Sequence, residues 1–187
     1  MKTAAVLLAL PGLLGGGGAM ATETGNSAFG IATATVIEPV MVRQLADLDF
    51  GAIRSRAAAS GTVTIAPGTS RPRYTGGADA ACSDPGCPAP HLAAFAVSGE
   101  AQRNYVVAVP SSLAATGIPL SPEAGLVPTL TVDAFTVRSA SRTHAGNAGQ
   151  LDASGKDMFE LGGTLRLPPQ APPAHYRVSV PVIVTYS

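Results

Sequence analysis

The sequence predicts an all-β protein whose strands form an antiparallel sandwich. Apolar and polar residues alternate with a period of two in about eight short runs rich in β-branched and aromatic side chains. Glycine and proline, with 21 and 16 copies in 187 residues, separate these runs. No helical period is sustained after the first 21 residues. A closed barrel built from the same strands is the main alternative.

The first residues of the chain have the pattern of a secretory signal peptide. Lys2 provides a positive charge, Ala4–Leu14 is apolar, and Ala19-Met20-Ala21 is a small-x-small cleavage site. The apolar run is too short to span a bilayer, and no later stretch reaches about 18 apolar residues. We expect export to the periplasm, the cell surface or the medium. The expected organisation is a signal peptide at 1–21, a flexible arm at 22–30 and a single β-domain at 31–187.

Each predicted strand is an alternating run that ends near a turn-forming residue. Pro39 follows the first run, Gly51 follows the second, and Pro67-Gly68 closes the third. In chain order, the predicted strands are 31–38, 41–50, 62–66, 92–98, 104–109, 126–137, 163–167 and 176–186. The fourth and fifth are predicted to form a hairpin around residues 99–102. Residues 67–91 and 138–160, rich in Gly, Ser, Asp and Pro, are predicted to be long loops.

Two acids in the second predicted strand raise the question of a catalytic pair. In a strand, Leu48 and Phe50 point to one face while Asp47 and Asp49 point to the other. Burying each apolar side chain contributes about 1.5–3 kcal/mol, whereas burying the unpaired carboxylates costs several kcal/mol each. We therefore interpret the acids as a solvated or edge-protecting face. A calcium site and a catalytic pair are the alternatives.

The two cysteines lie close together, with Asp-Pro-Gly in the segment between them. This is a turn sequence that brings Cys82 and Cys87 together, and export implies an oxidising compartment. We predict a disulfide that closes a six-residue loop and contributes about 2 kcal/mol. The alternative is a metal site that includes His91, which would need further ligands.

Known catalytic and nucleic-acid-binding patterns are not found in the sequence. The 12 basic and 12 acidic side chains balance, and the arginines are scattered, which does not match the basic patch that nucleic acid requires. The sequence contains no nucleophile elbow and no phosphate-binding glycine loop, and His91, His144 and His175 lack ligand spacing. We expect no enzymatic activity, no cofactor and no metal.

The last predicted strand has one continuous apolar face, formed by Tyr176, Val178, Val180, Val182, Val184 and Tyr186. Pro181 lacks an N–H, which restricts such a strand to an edge or a bulge. An apolar edge must be covered by its own domain or extended by a strand from another chain. Both readings are open at this point.

Several segments resemble the family called domain of unknown function 4402. They are 32–39, 46–51, 61–65, 94–99, 163–165 and 182–186. That family comprises exported proteins of Gram-negative bacteria and is distantly similar to chaperone–usher pilins and spore-coat-U-like subunits. The resemblance implies an incomplete immunoglobulin-like fold that a donor strand from a neighbouring subunit completes. The partners it implies are further copies, other pilin-like subunits and a periplasmic chaperone.

The expected function is therefore that of a pilus-like or surface structural subunit, with no nucleic-acid partner and no membrane span after signal removal. The candidate assembly residues are Phe29, Ile31, Ile37, Val180, Val182, Val184 and Tyr186. The alternative is a monomeric binding module of the cell envelope whose long loops, including the Cys82–Cys87 loop, contact a ligand.

Overall fold

The structure is a computed structural model that describes residues 30–69, 71–82, 86–87, 89–120 and 127–187. The chain divides into two units, one ending at Thr35 and one comprising Val36–Ser187. The predicted signal peptide, Phe29 and all of the predicted arm except Gly30 lie outside the described residues. In the first unit, residues 30–35 are exposed and form no strand.

The second unit consists of antiparallel strands, and the described residues contain no helix. This confirms the predicted all-β, antiparallel class. The strands are β1 (Met41–Ala46), β2 (Ile53–Ser55), β3 (Gly61–Ile65), β4 (Arg73–Gly76), β5 (Ala78–Ala80), β6 (Ala93–Ser98), β7 (Asn104–Ala108), β8 (Ser112–Pro119), β9 (Thr129–Ser139), β10 (Ala148–Gln150), β11 (Lys156–Leu167), β12 (Ala174–Arg177) and β13 (Ile183–Tyr186). Accordingly, no helix in this part of the chain is long and apolar enough to cross a membrane.

The longest strand, β11, organises the largest sheet, whose order is β1-β6-β11-β9-β8-β12. Along one edge of β11, its first half pairs with β6 and its second half pairs with β3, which in turn pairs with β4. Strand β9 pairs along the opposite edge. A smaller sheet has the order β10-β7-β13, and β2 pairs with β5 in a short ribbon.

Two hydrophobic clusters form the core. The first joins both larger sheets and comprises Ala93, Phe95, Val97, Tyr105, Val107, Leu151, Phe159 and Leu161. Within it, the rings of Phe95 and Phe159 stack with centroids 4.9 Å apart. The second cluster comprises Val63, Ala78, Ala115, Leu130, Val132, Leu165 and Leu167. Strand β11 contributes side chains to both clusters.

Two predicted strands are corrected at the N-terminal side of the domain. The predicted strand Ile31–Glu38 is not formed: residues 30–40 have no regular structure. No described strand pairs with this segment, and a strand without a partner is not stable by itself. The predicted strand Met41–Phe50 ends at Ala46 and is followed by an isolated bridge between Asp49 and His91.

The predicted hairpin between β6 and β7 is wrong, because the two strands belong to different sheets. The connecting residues bond to the β10–β11 connection instead of closing a two-stranded turn. The Gly99 N–H donates to the Gly155 carbonyl oxygen (3.0 Å), and the Gln102 N–H donates to that of Asp152 (3.1 Å). The chain therefore crosses from one sheet to the other at residues 99–103.

The predicted long loops and the last predicted strand also differ from the structure. Residues 67–91 contain β4 and β5, and residues 138–160 contain the end of β9, β10 and the start of β11. The last predicted strand is two strands, β12 and β13, in different sheets. Pro181 lies between them, where its missing N–H interrupts no ladder.

The buried Tyr105 predicts a loss of stability at alkaline pH. Its hydroxyl donates to Asp157 Oδ2 (2.8 Å), and burial, followed by this bond and the Asp157 charge, raises the pKa of Tyr105 well above 10. Below pH 10 both folded and unfolded chains carry the proton; above it only the unfolded chain loses it. The free energy of unfolding should therefore fall above pH 10, by up to about 1.4 kcal/mol per pH unit for this group.

Urea unfolding at several pH values between 8 and 11.5 measures this effect, with Tyr105→Phe as the comparison. The variant should be less stable at pH 7 because the Asp157 bond is lost, but its stability should decline less steeply above pH 10. Equal slopes for the two proteins would show that another group causes the alkaline loss.

Cys82 and Cys87 are joined in a disulfide, with their Cα atoms 6.1 Å apart. Replacing both by serine should lower the free energy of unfolding by about 2 kcal/mol, because the unfolded chain regains the freedom of the closed loop. Urea unfolding measures this, and addition of a reductant to the unmodified protein should reproduce it. Unchanged stability in both experiments would contradict a stabilising role for the disulfide.

Candidate functional site

The candidate site is a gap between two strand edges that no described strand occupies. Within the described residues, β1 pairs with β6 alone and β13 pairs with β7 alone. Strands β6 and β7 are consecutive in the chain but lie in different sheets, and β11 and β10 pair with their opposite edges. The free edges of β1 and β13 therefore border the same side of the domain. We call the space between them the edge gap.

The side chains of β1 show that the gap is incompletely filled. Val42 pairs with Val97, a fully buried core residue, and therefore faces inward with it. Despite this orientation, Val42 is 41% exposed. An apolar side chain that points toward the core but reaches solvent is one that a further strand could cover.

The other wall of the gap is formed by the last strand and the residues before it. Val180, Val182, Val184 and Tyr186 pack against the first core cluster but are only partly buried, as are Val40 and Leu48. On the opposite face of β13, Ile183 is 61% exposed. The gap is thus lined mainly by apolar side chains of a partly covered core, with Gln44, which pairs with Phe95, as an inward-facing polar residue.

The hydrogen-bonding direction of β13 follows from its register. The Ser187 N–H donates to the Asn104 carbonyl oxygen (3.1 Å), so the residue next to Tyr186 points its main-chain groups toward β7. Because these groups alternate along an antiparallel strand, Val184 and Tyr186 direct their N–H and C=O groups toward the free edge. A further strand could form hydrogen bonds with these groups.

Tyr186 closes one end of the edge gap. Its hydroxyl donates to the Glu38 carbonyl oxygen (2.8 Å) and accepts a hydrogen bond from the Glu100 N–H (2.7 Å). The guanidinium carbon of Arg103 lies 5.6 Å from the centre of the tyrosine ring, within the range of a cation–π interaction. The last strand is therefore connected to the segment that precedes β1.

The predicted assembly residues fall into two groups. Ile31 and Ile37 lie in the irregular segment before β1, 93% and 40% exposed respectively. Val180, Val182, Val184 and Tyr186 pack on the core beside the gap. Phe29 lies outside the described residues. Val42 was not identified from the sequence. Met41 and Val42 are adjacent and both apolar, so the pattern does not show which of them faces the core.

The two acids of the second predicted strand, Asp47 and Asp49, follow β1 and form local hydrogen bonds. The Gly51 N–H donates to Asp49 Oδ1 (2.7 Å), which supports the turn where Gly51 has a φ of 72°. Gln44 Nε2 donates to Asp47 Oδ1 (2.5 Å), and Asp47 is exposed. Both carboxylates thus have a structural explanation at this place in the fold.

Another carboxylate, Asp152, lines a shallow open depression together with Gln102, Ser141 and Gln150. Hydrogen bonds from the backbone of Lys156, and then from Ser154, lower the pKa of Asp152. It therefore builds the β10–β11 turn in its charged form. In the part of the chain that the structure describes, no three His, Cys, Asp or Glu side chains are grouped to hold a metal ion.

Comparison with known proteins gives one match. The model of the family described as "Domain of unknown function (DUF4402)" matches residues 40–186. No curated protein and no solved structure matches the chain significantly. The matched region begins immediately before β1 and includes both walls of the edge gap, whereas residues 31–37 precede it.

Proposed function

The chain belongs to the DUF4402 family, and we propose that it is a secreted, non-enzymatic structural subunit that assembles by strand complementation. The observation that carries this proposal is the exposed, inward-facing Val42 beside edges of β1 and β13 that no other described strand pairs with. The domain would be an immunoglobulin-like sandwich that lacks one strand. An added strand would cover apolar surface and satisfy main-chain groups on a free edge at the same time.

The proposed occupant is residues 31–37 of a second copy, which we call the donor segment. This segment belongs to no strand in its own chain, and its apolar residues are exposed. Its length is close to the six residues of β1. If it lies in the gap as a strand, Ile31 and Ile37 share one face with Thr33 and Thr35, while Ala32, Ala34 and Val36 share the other.

Burial and main-chain hydrogen bonds would favour this contact, and ordering of the donor segment would oppose it. Burying Ile31 and Ile37 contributes about 1.5–3 kcal/mol each, and covering Val42 adds to this. The main-chain bonds at Val184 and Tyr186 each add about 0.5–1.5 kcal/mol net. Ordering the donor segment opposes these gains, by about 1–2 kcal/mol per residue. Segments that already lie extended lose less.

Electrophoresis in detergent, with and without boiling, tests the proposal on protein exported to and recovered from the bacterial periplasm. The unboiled protein should give a ladder of multimers that collapses to monomer on boiling. Deletion of residues 30–37 should abolish the ladder without changing the melting temperature of the monomer. A monomer band in both unboiled samples would overturn self-assembly, and a ladder that survives the deletion would overturn the proposed occupant.

The alternative function, a binding module that uses its long loops, has a distinguishing variant. The loop closed by Cys82 and Cys87 is remote in sequence from both walls of the edge gap. The double serine variant should therefore retain the multimer ladder. Loss of the ladder in that variant would contradict assembly through the edge gap.

A further inference from the structure

We propose that Tyr186 is a latch that fixes the segment Glu38–Val40, here called the arm root, to the last strand of the same chain. The latch would set where the donor segment leaves the domain. Its role in assembly rests on the function proposed above. The latch itself is a property of the monomer and can be measured without assembly.

The latch consists of one side-chain oxygen between two main-chain groups. The Tyr186 hydroxyl donates to the carbonyl oxygen of Glu38, and it accepts from the N–H of Glu100 in the β6–β7 connection. Among the hydrogen bonds of the described residues, the one to Glu38 ties the arm root to the rest of the domain. Val40 supplements it by packing against the first core cluster.

Gly99 makes this approach possible. A Cβ at this position would overlap the Tyr186 hydroxyl and would lie 3.2 Å from the Cα atom of Val40. The φ of Gly99 is not positive, so the need for glycine comes from the space that the tyrosine and the arm root occupy. The Gly99 backbone is held in turn by its bond to Gly155.

A charged pair lies against the tyrosine ring. Arg103 lies over the Tyr186 ring, and its Nε donates to Glu100 Oε2 (3.1 Å). The pair is partly exposed, so its contribution is small. Its geometry nevertheless joins the β6–β7 connection to the tyrosine ring.

The register of β13 gives the latch a consequence for assembly. The main-chain N–H and C=O of Tyr186 point to the free edge, where a donor segment from another copy would pair. The same residue would therefore bind the incoming segment with its backbone and hold its own arm root with its side chain. A donor segment bound in the gap of one copy would therefore restrict Tyr186 of that copy. Tyr186 in turn fixes the arm root from which the copy's own donor segment extends.

The test is nuclear magnetic resonance on monomeric protein, with Tyr186→Phe compared with the unmodified chain. Without the hydroxyl, the backbone order parameters of Glu38 and Val40 should fall from about 0.85 to below about 0.6. The Glu100 amide hydrogen should exchange about three- to tenfold faster, because its acceptor is lost. Gly99→Ala, which displaces the hydroxyl while retaining it, should produce the same changes.

Tyr176→Phe is the matched control. The Tyr176 hydroxyl also donates to a carbonyl oxygen, that of Pro172 (2.7 Å), but it has no bond to the arm root. This variant should leave the order parameters of Glu38 and Val40 unchanged. Unchanged order parameters in Tyr186→Phe would overturn the latch. A loosened arm root in a protein that never forms multimers would support the latch and refute only the proposed function.

Discussion

Replacing Ile31 and Ile37 by aspartate should abolish the heat-sensitive multimers and leave the monomer folded. In the monomer the two side chains are 93% and 40% exposed respectively, so charge costs the isolated domain little at the first position and more at the second. In the proposed complex they face the apolar lining of the edge gap. There the exchange removes about 1.5–3 kcal/mol of burial per position and adds several kcal/mol for each buried carboxylate. The affinity should fall by more than about a thousandfold.

The matched control is the double variant Ala32→Asp and Ala34→Asp, which introduces the same charge on the same segment. If the donor segment is a strand, these residues face away from the core, and the multimers should persist. Unboiled gel electrophoresis and sedimentation of the purified proteins measure both variants. Multimers in the isoleucine variant would contradict the proposed occupant. Their loss in the alanine variant alone would show that the segment presents its opposite face.

Phe159→Ala should lower the free energy of unfolding by about 3–5 kcal/mol, as large aromatic-to-alanine changes do in packed cores. Phe159 is fully buried in β11 and stacks on Phe95, so its removal leaves a cavity between the two larger sheets. Urea unfolding of the monomer measures the change. Phe159→Leu, which keeps most of the volume, provides a milder variant if the alanine protein does not fold.

The control for this prediction is Met158→Ala, one position earlier on the same strand. Met158 points to the outer face and is 49% exposed, so its removal should change the free energy of unfolding by no more than about 0.5 kcal/mol. Similar losses in the two variants would mean that the strand, and not the buried ring, determines the stability.

The sequence predicted best those strands that have one buried and one open face. Strands β3, β6 and β7 alternate strictly in burial and lie within one or two residues of their predicted bounds. For these segments the period of two reports the environment directly, because alternate side chains enter the same core.

Some strands were not predicted because they depend on contacts with residues distant in the sequence, and others because they are very short. The first half of β11 was assigned to a loop because residues 138–160 are rich in Gly, Ser and Asp. In the strand, one of these polar residues, Asp157, lies on the same face as Phe159. Hydrogen bonds from Tyr105 and Ser141 satisfy that carboxylate, and no local pattern reveals donors from 52 and 16 residues away. Strands β5 and β10 have only three residues each, too few for a period to be recognised.

The edge gap could be predicted only in part. The apolar face of the last strand was evident, as was the restriction that Pro181 imposes. Which edges remain open, however, depends on β6 and β7 entering different sheets, and the short connection between them instead favoured a hairpin. The hydroxyl contact between Tyr186 and Glu38 joins residues 148 positions apart, a separation at which no periodicity is informative.

The position of β11 also bears on how the domain unfolds. Its first half supplies Phe159 and Leu161 to one hydrophobic cluster, and its second half supplies Leu165 and Leu167 to the other. If either cluster loses its packing, part of β11 is released. The other cluster requires the same strand and is therefore weakened. The domain should therefore open as one cooperative unit and not in two stages, since partial opening at one end would forfeit contacts at both. A domain with this property lacks a half-folded state of low free energy, so the side chains buried in its two clusters are not exposed by partial unfolding.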